Sequence, residues 1–461
     1  MLFTNRNLPR NRAWDITTCH FAPKVVEFLI YAKIIVANRI FATFTTPYLR
    51  DRNMLLKEKK LKKTSKETLT SLELFAGAGG LALGIHKAGF KTMGVIEREK
   101  KAVETLKINV PKVLGLSPEG IISQDARLVN YKDYSGKIDL LAGGPPCQPF
   151  SNSGRNRGYL DERDGFPIIL DAIGDILPKA VLIENVRGLL RKRFTNYVSY
   201  IEERMRKPRI RREENEEWLH HYERLKAVDD STIPDNEKYF VQHFLVDAAN
   251  YGVPQRRERV FFVAFRLDLG IKSFSVPPTH SKAALIYSQF VTNEYWSKHG
   301  IDSHDSHLGP GLKREIKRFL EKPEEKLLKP WVTVRDAITD LPRPVKRGDV
   351  EDIPNHTQHP GARIYSGHIG SFMDLPSKTL KAGTNGTPGG ENMLREDRYG
   401  KSMHPRYFTT REAARIQAFP DTWRFHGQMG ACIKQLGNAV PVALAKAFAK
   451  EIHNRLLSTE D

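Results

Sequence analysis

From about residue 69 the chain turns from irregular, Lys-rich sequence to short apolar runs separated by segments of helical spacing. Residues 72–75, 92–96, 138–142 and 180–183 are short, mainly apolar runs, the pattern of strands buried on both faces and paired in parallel. Residues 120–123 read as a further short strand and residues 260–265 as another apolar one. Residues 81–88 and 100–109 read as helices between strands. Gly89 is placed to stop the first of these, because glycine readily takes the left-handed conformation that ends helices. This alternation predicts an α/β fold built on a doubly wound, Rossmann-like sheet. Residues 191–238 are charged and read as helical, an insertion at the edge or surface of the sheet.

Between residues 270 and 408 periodicity is weak, and Gly, Pro, His and Asn cluster, so a second, smaller, loop-rich domain is expected there. The α/β texture then returns over 409–461. Thr409 and Glu412 have the spacing of a capping box for a helix ending before Pro420. Leu444, Phe448, Ile452 and Leu456 recur every four residues on a last amphipathic helix. That helix is expected to pack back on the first domain (71–269), which makes the domain discontinuous in sequence.

Composition narrows the partners. The 461 residues carry a formal net charge of +19, which favours a polyanion, with nucleic acid the first choice. Residues 1–70 hold 14 Lys or Arg against 5 Asp or Glu. This basic arm reads as an upstream extension rather than a DNA-binding tail, with Met54 the expected start, so deleting residues 1–53 should leave activity intact. The apolar stretch 28–44 is broken by Lys33 and Arg39, so neither a membrane span nor a signal peptide is expected. The three cysteines, Cys19, Cys147 and Cys432, are an odd count without metal-ligand spacing. Disulfides and a metal site are not expected, and a reducing cytoplasm fits.

Five motifs carry chemistry. The run Leu74-Phe75-Ala76-Gly77-Ala78-Gly79-Gly80 follows a strand and opens a helix, where glycines let backbone approach a ligand. Glu97, at the end of the next strand, is placed to accept from ribose hydroxyls, and Asp125, after the third, from an adenine amino group. Taken alone this constellation fits a nicotinamide cofactor as well as S-adenosylmethionine. Next comes Gly143-Gly144-Pro145-Pro146-Cys147-Gln148-Pro149-Phe150-Ser151, at the carboxyl end of a strand. Two prolines stiffen this loop and present Cys147 as a candidate nucleophile. Its polar, Gly- and Pro-rich surroundings do not suit a packing cysteine.

Ile183-Glu184-Asn185-Val186 puts an acid at the same sheet edge, fit for acid/base work or for capping a helix. In Gln255-Arg256-Arg257-Glu258-Arg259, Arg257 and Arg259 share a face if the following strand begins early. Two such guanidinium groups suit a phosphate and a pyrimidine carbonyl oxygen. Finally, Asn438 in Gly437-Asn438-Ala439-Val440-Pro441-Val442 is placed to close the cofactor pocket from the far end of the chain.

With these motifs in this order, residues 71–461 resemble the cytosine-5 DNA methyltransferase family of bacterial restriction–modification type. The resemblance implies that Cys147 is the nucleophile, that Glu184 contacts cytosine N3 and its amino group, and that Arg259 holds the base near O2. Arg257 would support the loop or a phosphate. Phe75, Gly77, Gly79, Gly80, Glu97, Asp125, Pro146, Asn438 and Val440 would contact S-adenosyl-L-methionine, and no metal takes part. Residues 270–408 would be the target-recognition domain, with Ser377–Gly383 part of its recognition loops.

The implied partner is double-stranded DNA, bound by a monomer in the bacterial cytoplasm and nucleoid, with a paired restriction endonuclease acting on the same sequence. A tRNA methyltransferase on the same scaffold is the nearest rival. Its Cys-Phe-Thr signature is missing, since residues 270–431 contain no cysteine. Intact Cys147, Glu184 and Arg259 weigh against a non-catalytic DNA-binding relative.

Overall fold

The computed structural model describes residues 68–146, 164–301, 313–318, 328–346, 353–383, 390–398, 401–402 and 405–459, apart from 315, 365, 367–368 and 396. Cys147 and nearly all of the basic arm therefore lie outside the described residues.

The frame is a seven-stranded sheet of order β3-β2-β1-β4-β5-β7-β6. Its strands are β1 (Thr70–Leu74), β2 (Lys91–Ile96), β3 (Ile121–Ile122), β4 (Leu140–Gly143), β5 (Ala180–Val186), β6 (Tyr239–Asp247) and β7 (Glu258–Arg266). The first five run parallel, whereas β7 is antiparallel to both β5 and β6. The chain passes from β1 outward to β2 and β3, then returns to lay β4 and β5 on the other flank. The carboxyl ends of β1 and β4 thus form the switch point, where open sheets bind ligands.

Both faces of the sheet are covered, which is why its inner strands read as mainly apolar runs. On one face Leu141, Val181, Ile183, Val260, Phe262 and Ala264 pack with α3 (Phe166–Ile176) and α4 (Thr195–Arg206). On the other, Leu140, Ala142, Leu182, Phe261, Val263 and Phe265 pack with α1 (Gly80–Ala88) and the final helix. That helix, Val442–Leu457, carries Leu444, Phe448, Ile452 and Leu456 inward, as its spacing predicts, and Phe448 stacks on Phe261 with ring centroids 4.2 Å apart. It meets α1 closely: a Cβ on Gly84 would lie 2.4 Å from that of Ala445. Gly89 ends α1 at φ 112°, its N–H donating back to His86 and Ile85 carbonyls.

Segment 191–238 is helical, as expected, in α4 and α5 (Trp218–Ala227), but it is not a solvated appendage. Tyr197, Tyr200, Ile201, Met205 and Leu225 belong to the sheet's own core. Two elements are not evident in the sequence pattern, α3 and β6. Helix α3 is mainly apolar, with Asp171 and Asp175 its only charged residues. Strand β6 is an edge strand whose outer half alternates between exposed and half-buried positions.

Between residues 270 and 408 the described elements are short, but residues 334–408 share a core with the first and last parts of the chain. Val334, Ile338, Leu380, Leu394 and Phe408 pack with Ala78, Ala82, Leu106, Ala413 and Trp423. The capping box at Thr409 and Glu412 forms in both directions and opens the helix Thr410–Ile416.

Candidate active site

The half of the candidate site expected to take the cofactor is shaped by backbone conformation. Phe75, Gly77 and Gly79 all have positive φ, at 58°, 54° and 85°. For Phe75 this costs roughly 1–3 kcal/mol, strain of the kind that concentrates at ligand sites. The turn is held by Ala76 N–H donating to the Ile96 carbonyl at 3.0 Å and Gly79 N–H to the Ala76 carbonyl at 2.9 Å. A Cβ on Gly80 would sit 2.3 Å from the Val440 carbonyl oxygen, so glycine is required there. The first and last motifs of the sequence thus meet. Val440 is buried against α1, while Asn438 ends the helix Met429–Asn438 with its side chain exposed.

Glu97 is drawn into the turn. One carboxylate oxygen accepts from Gly77 N–H at 2.7 Å, the other from the N–H groups of Arg98 and Glu99 at 2.9 and 2.7 Å. Asp125 accepts from Arg127, through its backbone, Nε and Nη2, and from Arg98 Nη1 at 2.6 Å. Those bonds, chiefly from Arg127, hold its carboxyl well below the usual carboxylate range. Under the turn lies Glu73, a buried acid that receives the N–H of Ala82 in the first turn of α1. Burial, reinforced by the charge of Glu97, pushes its carboxyl well up.

The base half lies at the carboxyl ends of β4 and β5 and the start of β7. Glu184 Oε1 is 2.7 Å from Arg259 Nε, with both side chains about nine-tenths buried. Burial pushes the Glu184 carboxyl up even though Arg259 and then Arg257 pull it down. Val186 pairs with Arg259 in the ladder, and just beyond it Arg187 Nη1 meets Glu258 at 2.5 Å. Two crossed ion pairs therefore close this end of the β5–β7 ladder.

The structure departs from the expectation for Arg257. Strand β7 begins at Glu258, not earlier, so Arg257 does not alternate onto the face of Arg259. Its buried guanidinium instead donates to the carbonyls of Leu380 at 3.0 Å, Gly437 at 2.7 Å and Ala439 at 3.1 Å. It ties the last motif and the Ser377–Gly383 stretch to the sheet. That stretch is further fixed by Leu380 N–H to Gln255 Oε1 at 2.9 Å and Arg256 N–H to the Ser377 carbonyl at 2.8 Å.

The described stub Gly144–Pro146 ends directly before Cys147, the candidate nucleophile, which lies outside the described residues. Three residues around the stub had no role in the sequence reading. Asn185 Nδ2 donates to the Pro145 carbonyl at 3.2 Å. A Cβ on Gly144 would come within 3.4 Å of Glu184 Oε2. A Cβ on Gly165 would lie 2.5 Å from Pro146 Cδ. The signal for Asn185 was its place beside Glu184 in an unusual dipeptide, whereas Gly165 gave none.

Glycines that bring a turn over a helix N-terminus, with an acid at the end of β2, suit a nucleoside-bearing cofactor on a Rossmann-like sheet, S-adenosylmethionine among them. A prophage-encoded E. coli protein of known structure, described as a DNA modification methyltransferase, superposes with a TM-score of 0.51 at 22% identity, over 84% of this chain and 99% of that one. The sequence profile of the family C-5 cytosine-specific DNA methylase matches residues 69–208 and 219–454. Type II methyltransferase M.PspPI of Psychrobacter sp. (strain TA137) is 33% identical over 386 residues, covering 83% of this chain and 78% of its own. M.NgoMIV of Neisseria gonorrhoeae is 30% identical, covering 83% and 96%, and M.Eco47II of Escherichia coli 31%, covering 85% and 80%. The chain belongs to the C-5 cytosine-specific DNA methylase family and is a DNA cytosine-5 methyltransferase, with S-adenosylmethionine as the methyl donor that the family implies.

Proposed function

We propose that Cys147 attacks C6 of a cytosine flipped out of duplex DNA, and that Glu184 and Arg259 hold the base. The observation that carries this reading is the buried Glu184–Arg259 pair beside the Gly144–Pro146 stub. Carbon 5 of cytosine is too electron-poor to take a methyl group unaided. Addition of the Cys147 thiolate to C6 makes C5 an enamine-like nucleophile. A Glu184 carboxyl whose proton is held tightly by burial can share it with N3 and stabilise the adduct. The sulfonium donor, when bound, supplies the methyl that C5 takes up. Loss of the C5 proton and expulsion of the thiolate then restore Cys147. Extrusion of the base costs a few kcal/mol, which phosphate contacts on a basic protein offset.

Phe75, Gly77, Gly79, Gly80, Glu97, Asp125, Pro146, Asn438 and Val440 line the donor's site in this reading. The residues present fit such a group: glycine backbone over a helix start that has no side-chain cap, and a carboxylate at the end of β2. Arg257 serves as a positioning residue that joins the last motif to the sheet. Residues 71–269 and 409–461 make the catalytic part, 270–408 the target-recognition part, and 1–70 an extension.

The type II names of the relatives support a modification enzyme that protects one DNA sequence from a paired endonuclease; that it works as a cytoplasmic monomer without a metal is part of the same proposal. Among the described residues, no helix is long and apolar enough to cross a membrane. Bisulfite sequencing of DNA from a host expressing the chain tests this. Protected cytosines confined to one sequence context are expected, and their absence, or methyl incorporation into tRNA alone, would refute it.

A further inference from the structure

Segment 191–238 has no role in the chemistry above, yet it grips the helix that abuts the nucleophile's stub. We propose that it is a positioning element: Tyr197 and its neighbours fix α3, and the start of α3 fixes Pro146, the residue that carries Cys147. This rests on the reading of Cys147 as nucleophile.

The contact at the stub is tight. Gly165, which caps α3, lies so close to Pro146 and Pro145 that a Cβ would fall 2.5 and 3.0 Å from them. Asn185 holds the same stub from β5. A shift of α3 along its axis therefore has to move Pro146.

Helix α3 is held from segment 191–238 along its whole length. At its start, Asp164 accepts from Phe166 N–H at 3.0 Å with one oxygen and from the Tyr197 hydroxyl with the other. Farther along, Arg204 donates to Asp171 at 2.6 Å, and Arg211 pairs with Asp175 at 2.6 Å. The acids at 164, 171 and 175 recur at seven- and four-residue spacing, which puts them on one side of a helix.

The donors are themselves immobilised. The Tyr197 ring meets Trp218 edge to face at 5.4 Å, Tyr200 is within 3.0 Å of His221 Nδ1, and Arg204 is buried. Burial keeps the Tyr197 phenol protonated, as a donor to a carboxylate must be. A segment serving only bulk stability has no need of a buried phenol aimed at the residue preceding Gly165.

Tyr197→Phe removes one hydroxyl and keeps the ring. With saturating donor and duplex DNA, its single-turnover methyl-transfer rate should fall roughly ten- to a hundredfold, the scale expected when a reacting group is misplaced by about an ångström. The KM for S-adenosylmethionine should stay unchanged. Asp164→Asn keeps one acceptor oxygen for Phe166 N–H and turns its NH2 toward the Tyr197 hydroxyl, which can rotate to accept, so the link persists and most of the rate should be kept. Leu225→Ala loosens the same segment without touching Asp164, and should lower the thermal midpoint yet keep the rate well below that midpoint. A wild-type rate in Tyr197→Phe, or a loss confined to KM, would overturn the proposal. Persistent turnover in Cys147→Ser would instead overturn the reading beneath it, so the two failures are distinguishable.

Discussion

The two halves of the proposed site, one for the methyl donor and one for the base, are made in different ways. The donor half is a matter of backbone: positive φ angles at Phe75, Gly77 and Gly79, and a Glu97 carboxylate engaged by neighbouring N–H groups. The base half is a matter of charge: Glu184 and Arg259 face each other across β5 and β7, shielded from water. A site of the first kind is preserved by shape and fails when a Cβ is added. A site of the second kind depends on a charge being present with its partner, because an unpaired buried charge is costly.

The largest expected effect falls in the base half. Glu184→Gln keeps the shape but loses the acid, so kcat should drop roughly 10²–10⁴-fold while donor affinity, measured by calorimetry, hardly changes. Arg259→Lys keeps the charge but not the planar fork, and a kcat loss of about tenfold to a hundredfold is expected with the thermal midpoint nearly unmoved. Arg257→Lys sharpens the contrast. It abandons carbonyls rather than substrate, so it should cost about 1–3 kcal/mol of stability in denaturant titration with a smaller change in kcat.

In the donor half, Gly80→Ala drives a Cβ against the Val440 carbonyl. About 1–3 kcal/mol of stability should be lost, together with donor affinity. The smallest effect is expected at Glu73. A carboxyl raised by burial binds its proton more tightly in the folded chain than in the unfolded one. The stability it contributes is full below the ordinary value of 4.5 and is lost as pH rises through the folded value. Glu73→Gln should therefore flatten the decline of the thermal midpoint above pH 4.5. An unchanged pH profile would place that decline elsewhere.

The same contrast explains what could be read in advance. The turn over α1 is local, since its glycine spacing, the following helix and Gly89 all fall within one βα unit, and the expected helix and its stop match the structure there. The antiparallel course of β7 and the pairing of Glu184 with Arg259 depend on which strands become neighbours, and residue spacing does not report that. Arg257 shows the limit: spacing by two implies a shared face only inside a strand, and β7 starts one residue too late. The buried side of segment 191–238 was hidden for a related reason: charged residues dominate the composition there, while the aromatic and aliphatic positions that enter the core are widely spaced.

The central claim concerns a single sulfur, and it can be trapped. Duplex DNA carrying 5-fluorocytosine at the methylated position has no C5 proton to lose, so the enzyme stays bonded to C6 after methyl transfer. Mass spectrometry of the wild-type protein, incubated with this DNA and S-adenosylmethionine, should find the modified base on the peptide containing Cys147, and Cys147→Ser should give no adduct. A bond through another residue, or no bond at all in preparations that methylate ordinary DNA, would contradict the account.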